Sequence, residues 1–367
     1  MPANRKYRIY FGKPLIGDSE KEAVLESLSQ RQLTNSGMVR AFEESFQDFT
    51  GGIAVAVSSC TAALHISCMM FLKPGDEVIV PANCHLSAAN AVELVGARTV
   101  FCDVSLENGA FQNIRSCLTP KTKAVIAVHY MGIPANLGEL RSFCRSNGLY
   151  LIEDCALALG SHHENRHVGL WGDVGCFSFY PCKHITTAEG GMLLTSNVQI
   201  AEKAKSLRSF GQTERYGDIS KPGLNYRMTE LQAALGIEQM KRLPKFLRVR
   251  HGNMTKIARE LSDFKLIGGS YGTTVFLDCD QGEFRKLMKN QYIETSVYYP
   301  KPVPLMTHYR SYGYREGDFP NAEMISERSV CLPSGPHLRK NHIQYMLETF
   351  RTCESLLSAA PALSATI

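Results

Sequence analysis

Residues 53–104 read IAVAVSSCTAALHISCMMFLKPGDEVIVPANCHLSAANAVELVGARTVFCDV, and this stretch decides the fold. Three short apolar runs in it, at residues 53–59, 77–81 and 98–104, have the length and the Val, Ile and Phe content of buried strands. A helix-like segment with periodic apolar residues fills each of the two gaps between them. Strands that alternate with helices in this way predict a mostly parallel sheet covered by helices on both faces.

The same alternation continues through the first two-thirds of the chain. Four further strand-like runs lie at residues 123–130, 149–154, 174–180 and 191–196, which brings the predicted sheet to seven strands. After about Pro244 the pattern changes to shorter, mixed elements. We therefore predict a large α/β domain over residues 1–245 and a smaller C-terminal α+β domain over residues 246–367.

Composition and charge exclude several classes of protein. The chain has 367 residues, of which 44% are hydrophobic and 20% charged, with a formal net charge of +5. Its mean hydropathy is −0.14, and no apolar run approaches the roughly 18 residues that a membrane-spanning helix needs. No Lys/Arg block is dense enough for a nucleic-acid-binding arm. We expect neither a membrane nor a nucleic acid as partner, and the mild positive excess suits an anionic small-molecule substrate.

Twelve cysteines are scattered from Cys60 to Cys353, most of them inside apolar runs and none in a Cys-x-x-Cys pair. The N-terminal residues MPANRKYRIYFGK lack the apolar core of a secretory signal. This pattern predicts reduced, buried thiols in a cytoplasmic protein, with neither a disulfide framework nor a cysteine-based metal site.

Lys183 lies in the segment FSFYPCKHITTAEGGM, between one predicted strand and the Gly-Gly pair that begins the next. A loop at this point should place the side chain at an edge of the sheet. Lysine is the side chain that forms a Schiff base with an aldehyde, but an exposed loop lysine is the ordinary alternative. Lys183 alone does not decide between them.

Asp154 ends the apolar run LYLIED, and therefore lies at the carboxyl end of a buried strand, where ligands of open α/β sheets bind. Aspartate is also common at this kind of position as a helix N-cap. Pyridoxal 5′-phosphate (PLP) requires both a Schiff-base lysine and an acidic partner for its ring nitrogen. Lys183 and Asp154 on successive strands of one sheet meet that requirement.

The segment SSCTAAL, residues 58–64, joins a strand to a helix. Backbone amides, the Thr61 hydroxyl and the helix dipole come together there and suit an anion such as a phosphate, although an ordinary Ser/Thr cap explains the residues equally well. The chain has no G-x-G-x-x-G and no G-x-x-x-x-G-K-[ST], so dinucleotide or nucleoside-triphosphate binding by those routes has no support.

These segments together resemble the DegT/StrS family of PLP-dependent sugar aminotransferases, a branch of the aspartate-aminotransferase (type I) fold. The matching pieces run in family order from Tyr10 to about Phe350: FGKPLIGDSEKEAVLESL, AVSSCTAALH, KPGDEVIVPA, FCDV, IEDCALALGS, GDVGCFSFYPCKHITTAEGGMLLTS, LNYRMTELQAALGIEQMKRL, VYYPKPVP and VCLPSGPHL. The Lys183 segment and NYRMTELQAALG are the specific ones.

The resemblance implies a role for each matching residue around the cofactor ring. Lys183 is the lysine that holds PLP as a Schiff base, and Asp154 is the partner of the pyridinium nitrogen. His85 lies where the family usually has an aromatic ring stacked on the cofactor.

For the phosphate, the resemblance implies Thr61 with the neighbouring backbone at Cys60 and Ala62, together with Ser178. Asn225, in LNYRM, matches the asparagine that reaches the phosphate from the other subunit. The resemblance therefore implies a homodimer with a shared active site.

Three positions distinguish this chain from the family pattern or from some of its members. Cys60 replaces the usual glycine of the phosphate turn, and Leu157 replaces the usual Gln, His or Glu beside the phenolic oxygen of the cofactor. Some relatives carry histidine instead of the lysine and act as dehydratases, so lysine at position 183 favours transamination. His184, the next residue, is interpreted as an exposed loop residue.

The activity that the resemblance implies is transfer of an amino group from an amino acid, usually L-glutamate, to a nucleotide-linked 4-keto-6-deoxyhexose, in the biosynthesis of amino sugars for surface polysaccharides. Two alternatives stay open. One is an aminotransferase for a small or cyclic ketone that is not nucleotide-linked. The other is a non-catalytic regulatory protein of the same fold, for which loss of Lys183 or Asp154 would be expected.

Overall fold

The computed structural model describes residues 8–213, 217–219 and 221–358. The strands in chain order are β1 (Ile53–Val57), β2 (Glu77–Pro81), β3 (Arg98–Cys102), β4 (Thr122–Val128), β5 (Tyr150–Asp154), β6 (His162–His163), β7 (Arg166–His167), β8 (Val174–Ser178), β9 (Gly191–Thr195), β10 (Leu266–Gly268), β11 (Thr273–Phe276) and β12 (Ser329–Leu332). The helices are α1 (Asp18–Leu28), α2 (Gly37–Thr50), α3 (Cys60–Phe71), α4 (Leu86–Glu93), α5 (Leu137–Ser146), α6 (Val198–Leu207), α7 (Glu230–Glu260), α8 (Gln281–Asn290), α9 (Thr307–Arg310), α10 (Pro320–Arg328) and α11 (Lys340–Ser358).

The central sheet has seven strands in the order β1-β9-β8-β5-β4-β2-β3, and they are the seven predicted from the apolar runs. The pairs β2–β3, β2–β4, β4–β5 and β5–β8 are parallel, whereas β9 is antiparallel to both β8 and β1. The predicted mostly parallel sheet is therefore confirmed. Its parallel strands bring Asp154 and Ser178, the last residues of β5 and β8, to the same edge.

Helices cover both faces of this sheet, as predicted. Alternating side chains of β1 show why: Val55 and Val57 join the core that contains α3, α4 and α6, whereas Ala54 and Ala56 join the core that contains α2 and the first part of α7. Because a strand projects successive side chains to opposite faces, a run that is apolar at every position needs a helical layer on each side.

A second, smaller core forms around the antiparallel sheet β10-β11-β12. Its apolar side chains come mainly from this sheet, α8 and α11, and Ile9 from the N-terminal segment joins them. This unit contains the mixed elements predicted after Pro244.

Helix α7 passes without interruption through the predicted boundary at residue 245, with Pro244 inside it. Leu243 and Phe246 belong to the larger core, whereas Ile257 belongs to the smaller one. A proline inside a helix removes one hydrogen bond and usually marks a break. Here the buried face of the helix continues across it. One helix thus contributes to both cores, and the division at 245 stays a prediction.

All twelve cysteines are free thiols, and ten of them are buried. The prediction of unpaired, buried thiols is confirmed. Among the described residues, no helix combines the length and the apolar character needed to cross a bilayer.

Candidate active site

Asp154 lies at the carboxyl end of β5 and is only 4% exposed. Its Oδ1 accepts a hydrogen bond from the amide of Ala156 at 3.0 Å, which turns the chain away from the strand. Its Oδ2 accepts no hydrogen bond from any described residue. A buried carboxylate with one open oxygen requires a cationic or protonated partner.

Three basic side chains lie near this carboxyl. Burial raises the pKa of Asp154, while the hydrogen bond from the Ala156 amide and the nearby Lys183, His85 and His129 act in the opposite direction. The structure therefore brings Lys183 and His85 close to Asp154, as the sequence predicts. A ring nitrogen that carries a proton would supply the missing partner at Oδ2.

The turn between β1 and α3 forms the candidate phosphate site. Ser59 caps the helix, and its side chain accepts the amide of Ala62 at 3.0 Å. Thr61 is exposed, and neither its amide nor its hydroxyl has a hydrogen-bond partner among the described residues. The first-turn amides of Cys60 and Thr61 have no acceptor among the described residues and could therefore donate to a phosphate. The amide of Ala62 already donates to Ser59, and it could contact a phosphate as predicted only if that hydrogen bond were broken.

Gly191 brings Ser178 close to this turn. Gly191 faces Ser178 across the β8–β9 pair. A Cβ on Gly191 would lie 2.4 Å from the carbonyl carbon of Ser59 and 2.5 Å from the nitrogen of Cys60, so only glycine permits this approach. The Gly190-Gly191 pair in the sequence therefore marks the place where β9 packs against the phosphate turn.

Lys183 lies in a tight turn in which its amide donates to the carbonyl of Tyr180 at 2.9 Å. The side chain is half-buried, and its Nζ lies 5.6 Å from the centre of the Tyr271 ring. This distance is within the range of a cation–π contact. The loop thus directs the lysine inward, and the alternative of an exposed loop lysine does not describe it.

Cys60, which replaces the family glycine, is the first residue of α3. Its Sγ lies 4.0 Å from Oδ1 of Asp154 and donates to it. Burial raises the pKa of this thiol well above its usual range, and the Asp154 charge adds to the effect, so the thiol stays protonated. The extra side chain fills the space between the phosphate turn and Asp154.

His85 caps the start of α4, with its Nδ1 2.8 Å from the Ser87 hydroxyl. Desolvation lowers its pKa, although the Asp154 charge opposes this. The ring meets Tyr299 edge-on, with 5.8 Å between centres, and keeps an exposed face. A neutral imidazole held by its own helix cap is suited to stacking on a flat ligand.

Asn225 lies apart from this group. It is exposed, pairs through its backbone with Ser209, and forms no hydrogen bond to the other predicted site residues that the structure describes. Its neighbour Tyr226 accepts the amide of Ser58 at 2.8 Å, which places Asn225 near the end of β1. Its predicted role toward the partner subunit stays a prediction.

The interpretation of His184 as an exposed loop residue is wrong. It is 4% exposed, and its Nε2 donates to the carbonyl of Ser270 at 3.3 Å. The turn that directs Lys183 toward the site places the next side chain against Tyr271, with 5.7 Å between the ring centres.

Several side chains near Lys183 were not singled out from the sequence. The Tyr271 hydroxyl donates to the Cys182 thiol at 3.4 Å and accepts from the Tyr298 hydroxyl at 2.8 Å. Tyr298 and Tyr299 come from VYYPKPVP, so the family resemblance already pointed to that segment. Tyr271 lies in an ordinary Gly-rich turn, and no local pattern indicates it.

A buried pair braces β5 behind Asp154. Glu153 accepts His129 Nε2 at 3.0 Å and three loop amides, those of Gly169, Trp171 and Gly172. His129 Nδ1 in turn accepts the amide of Ala135 at 3.0 Å, which leaves the proton on Nε2. His129, Glu153 and Cys155 are close enough to hold a metal ion. The nitrogens of His129 and the oxygens of Glu153 already have partners, so the cluster fixes the strand that carries Asp154.

The set of groups fits PLP. Asp154 offers an open, buried carboxylate oxygen for a protonated ring nitrogen, and Lys183 offers an amine for the aldehyde. The phosphate turn offers unpaired amides at a helix N-terminus. Leu157 is 3% exposed and packs in the core, so its side chain offers no hydrogen bond to a ligand.

Residues 14–351 match the DegT/DnrJ/EryC1/StrS aminotransferase family. The spore coat polysaccharide biosynthesis protein SpsC of Bacillus subtilis is 31% identical, over 96% of this chain and 98% of that protein. The GDP-perosamine synthase of Escherichia coli O157:H7 is 30% identical, over 92% of this chain and 96% of that protein.

A solved structure with the same fold is Spr1654 from Streptococcus pneumoniae in its PLP form. It is 26% identical, with a TM-score of 0.89 over 96% of this chain and all of the other. The family is PLP-dependent, which confirms the cofactor predicted from Lys183 and Asp154, and it confirms the type I fold. The chain belongs to the DegT/DnrJ/EryC1/StrS family of sugar aminotransferases.

Proposed function

We propose that this aminotransferase moves an amino group from L-glutamate to a nucleotide-linked 4-keto-6-deoxyhexose, as a cytoplasmic homodimer whose subunits share their active sites. The observation that carries the proposal is the meeting of Lys183, Asp154 and the Cys60–Thr61 turn at one edge of the sheet. PLP supplies an aldehyde and an electron-accepting ring when bound.

Each of the chain's own groups has a definite task in this proposal. The Nζ of Lys183 would hold the cofactor through its aldehyde and, when the amine is free, would accept the proton from the donor's α-carbon. Asp154 holds the proton of the ring nitrogen in place. Because Asp154 is 4% exposed, little water competes with that hydrogen bond.

Two observations support a sugar acceptor linked to a nucleotide. The relative from Escherichia coli is named a GDP-perosamine synthase, and the formal charge of +5 suits a diphosphate-bearing substrate. Lysine at position 183 supports transamination over dehydration. Two alternatives would replace this proposal. One is an acceptor that is a small or cyclic ketone without a nucleotide, and the other is a non-catalytic role.

The test is a pair of half-reactions with purified, PLP-loaded protein. L-glutamate should convert the bound cofactor to its amino form, seen as loss of the visible absorbance band. A panel of nucleotide-linked 3-keto and 4-keto sugars and of free cyclic ketones should then restore the band. We expect the 4-keto-6-deoxy nucleotide sugars to restore it fastest. If only free cyclic ketones restore the band, the acceptor is a ketone of that kind and not a nucleotide sugar. If no amino acid changes the band, the non-catalytic role is supported.

The shared active site gives a separate prediction. Asn225→Ala should weaken PLP binding about tenfold, because one hydrogen bond to a charged phosphate is lost. Equilibrium titration of PLP into the cofactor-free protein measures this. Unchanged affinity would count against any contact between Asn225 and the phosphate.

Mixed dimers show which subunit supplies Asn225. A dimer of one Lys183→Ala chain and one Asn225→Ala chain contains one intact site if Asn225 acts across the interface, since Lys183 comes from one chain and Asn225 from the other. At a PLP concentration that loads the native site but leaves the Asn225→Ala site mostly empty, such mixtures should therefore be more active than either variant alone. If Asn225 acts within its own chain, mixing restores nothing.

A further inference from the structure

A small cavity lies under the Lys183 loop, toward the N-terminal segment. Its volume is about 20 Å³, which is room for one water-sized species. It is lined by Phe11, Gly12, Lys13, Pro14, Leu15, residues 181–186, Gln239, Phe246, Arg250, and residues 335–337. No sugar, amino acid or nucleotide fits this volume.

The charged side chains of the lining are all basic, and Arg250 is the one among them that is buried. The lining contains the side chains of Lys13, Lys183 and Arg250 and two histidines, His184 and His337, but no aspartate or glutamate. Burial lowers the pKa of His184 and of His337, so both rings are neutral. An opposite charge usually balances a buried arginine such as Arg250 in a protein interior.

Arg250 is the most unusual member of this lining. It is 6% exposed, and no carboxylate among the described residues lies within 4.0 Å of it. Its Nη1 donates to the carbonyl of Tyr271 at 2.6 Å, and its guanidinium stacks on the Tyr271 ring at 5.2 Å. A buried guanidinium supported only by a neutral carbonyl and a ring lacks its usual anionic partner.

Two backbone amides of the lining are also unpaired. His184 and Ile185 are 4% and 1% exposed, and the amide of neither donates to a described residue. Buried amides in native proteins are nearly always paired with protein or with a bound species.

We propose that this cavity binds a monovalent inorganic anion of halide size, chloride in solution. The anion neutralises Arg250 and accepts hydrogen bonds from the lining, and its size agrees with the volume of the cavity. The site lies beside the Lys183 loop, but halide binding does not require the sugar substrate. The experiments below therefore test it independently of the proposed function.

Bromide is the probe for the site, since it replaces chloride and can be located by anomalous scattering. We expect one bromide peak in the cavity beside Arg250 in crystals of the PLP-loaded protein. In solution, sodium chloride or bromide should raise Tm by about 2 °C over sodium gluconate at equal ionic strength, with a saturable dependence on halide concentration.

Arg250→Gln should abolish the bromide peak and the halide-dependent shift in Tm. Arg248→Gln, which removes an exposed arginine two residues away on the same helix, is the matched control and should retain both. If Arg250→Gln does not fold, Lys13→Gln takes its place and should weaken the halide dependence severalfold. A water molecule in the cavity of bromide crystals, or an equal Tm in chloride and gluconate, would overturn the proposal.

Discussion

Lys183→Ala should lower the transamination rate by about 10³–10⁴-fold, the largest loss expected from any single change in this chain. Lys183 both binds the cofactor and moves the proton, and no second amine replaces it: the next residue, His184, is buried and hydrogen-bonded to Ser270. The visible absorbance of the lysine-bound cofactor should disappear together with the activity. Steady-state rates and absorption spectra of the same samples measure the two effects.

Two further variants separate the chemistry of Lys183 from its charge. Lys183→Arg keeps a positive charge near Asp154 but cannot form a Schiff base, and it should lose activity as fully as the alanine variant does. Lys121→Ala, which removes an exposed lysine just before β4, should leave rate and spectrum unchanged. Substantial activity in Lys183→Arg would mean that the charge, rather than the amine, is what the site requires.

The central sheet could be predicted because its signals are local. Most of the buried parallel strands contain at least three consecutive apolar residues, as in VIV of β2 or AVIAV of β4, with a glycine or polar residue within a few positions of their ends. Asp154 and Ser178 could be placed at one edge for the same reason, because parallel strands carry their last residues to the same side. The Gly190-Gly191 pair was visible in the sequence, although its contact with Ser59 was not.

Features that depend on distant parts of the chain could not be predicted. His184 is buried because Tyr271, almost ninety residues later, packs against it, and nothing near His184 indicates that neighbour. Helix α7 continues through Pro244 because both cores bury its apolar side chains. Arg250 has the sequence context of a surface helix, and only its three-dimensional surroundings show that it is buried.

Asp154→Asn should have opposite effects on stability in the cofactor-free and the PLP-loaded protein. In the cofactor-free protein, burial raises the pKa of Asp154 above its unfolded value. The protonated carboxyl therefore contributes its full stabilisation of the folded state at pH values below the pKa that Asp154 has in the unfolded chain. This contribution is lost as the pH rises through the higher pKa that Asp154 has in the folded protein. At neutral pH the ionised carboxylate therefore destabilises the empty site, and a neutral asparagine should raise Tm by about 2 °C.

Lowering the pH should reduce this advantage, because the native aspartate then takes up its proton while asparagine does not change. Thermal unfolding of both cofactor-free proteins between pH 8 and pH 5 measures the effect. The two Tm values are expected to converge toward the acidic end. A difference that grows as the pH falls has the wrong sign for a raised pKa and would contradict the argument.

With PLP bound the order should reverse. An ionised Asp154 opposite a protonated ring nitrogen forms a charge-assisted hydrogen bond in a site that is 4% exposed, and asparagine cannot replace its charge. The loaded Asp154→Asn protein should therefore have the lower Tm, and its activity should fall by about 10²–10³-fold, the loss typical when one group that stabilises developing charge is removed.

Asp173→Asn provides the matched control for this reversal. Burial also raises the pKa of Asp173, but it lies at the other end of β8, where its Oδ2 accepts the amide of Leu151 at 2.8 Å. Whatever its size, the effect of this change on Tm should be the same with and without PLP. If Asp154→Asn likewise shifts Tm equally in both states, then Asp154 acts only as a buried carboxyl of the fold. A reversal seen only for Asp154 would show that its carboxylate destabilises the cofactor-free protein and stabilises the PLP-loaded one by binding the ring nitrogen.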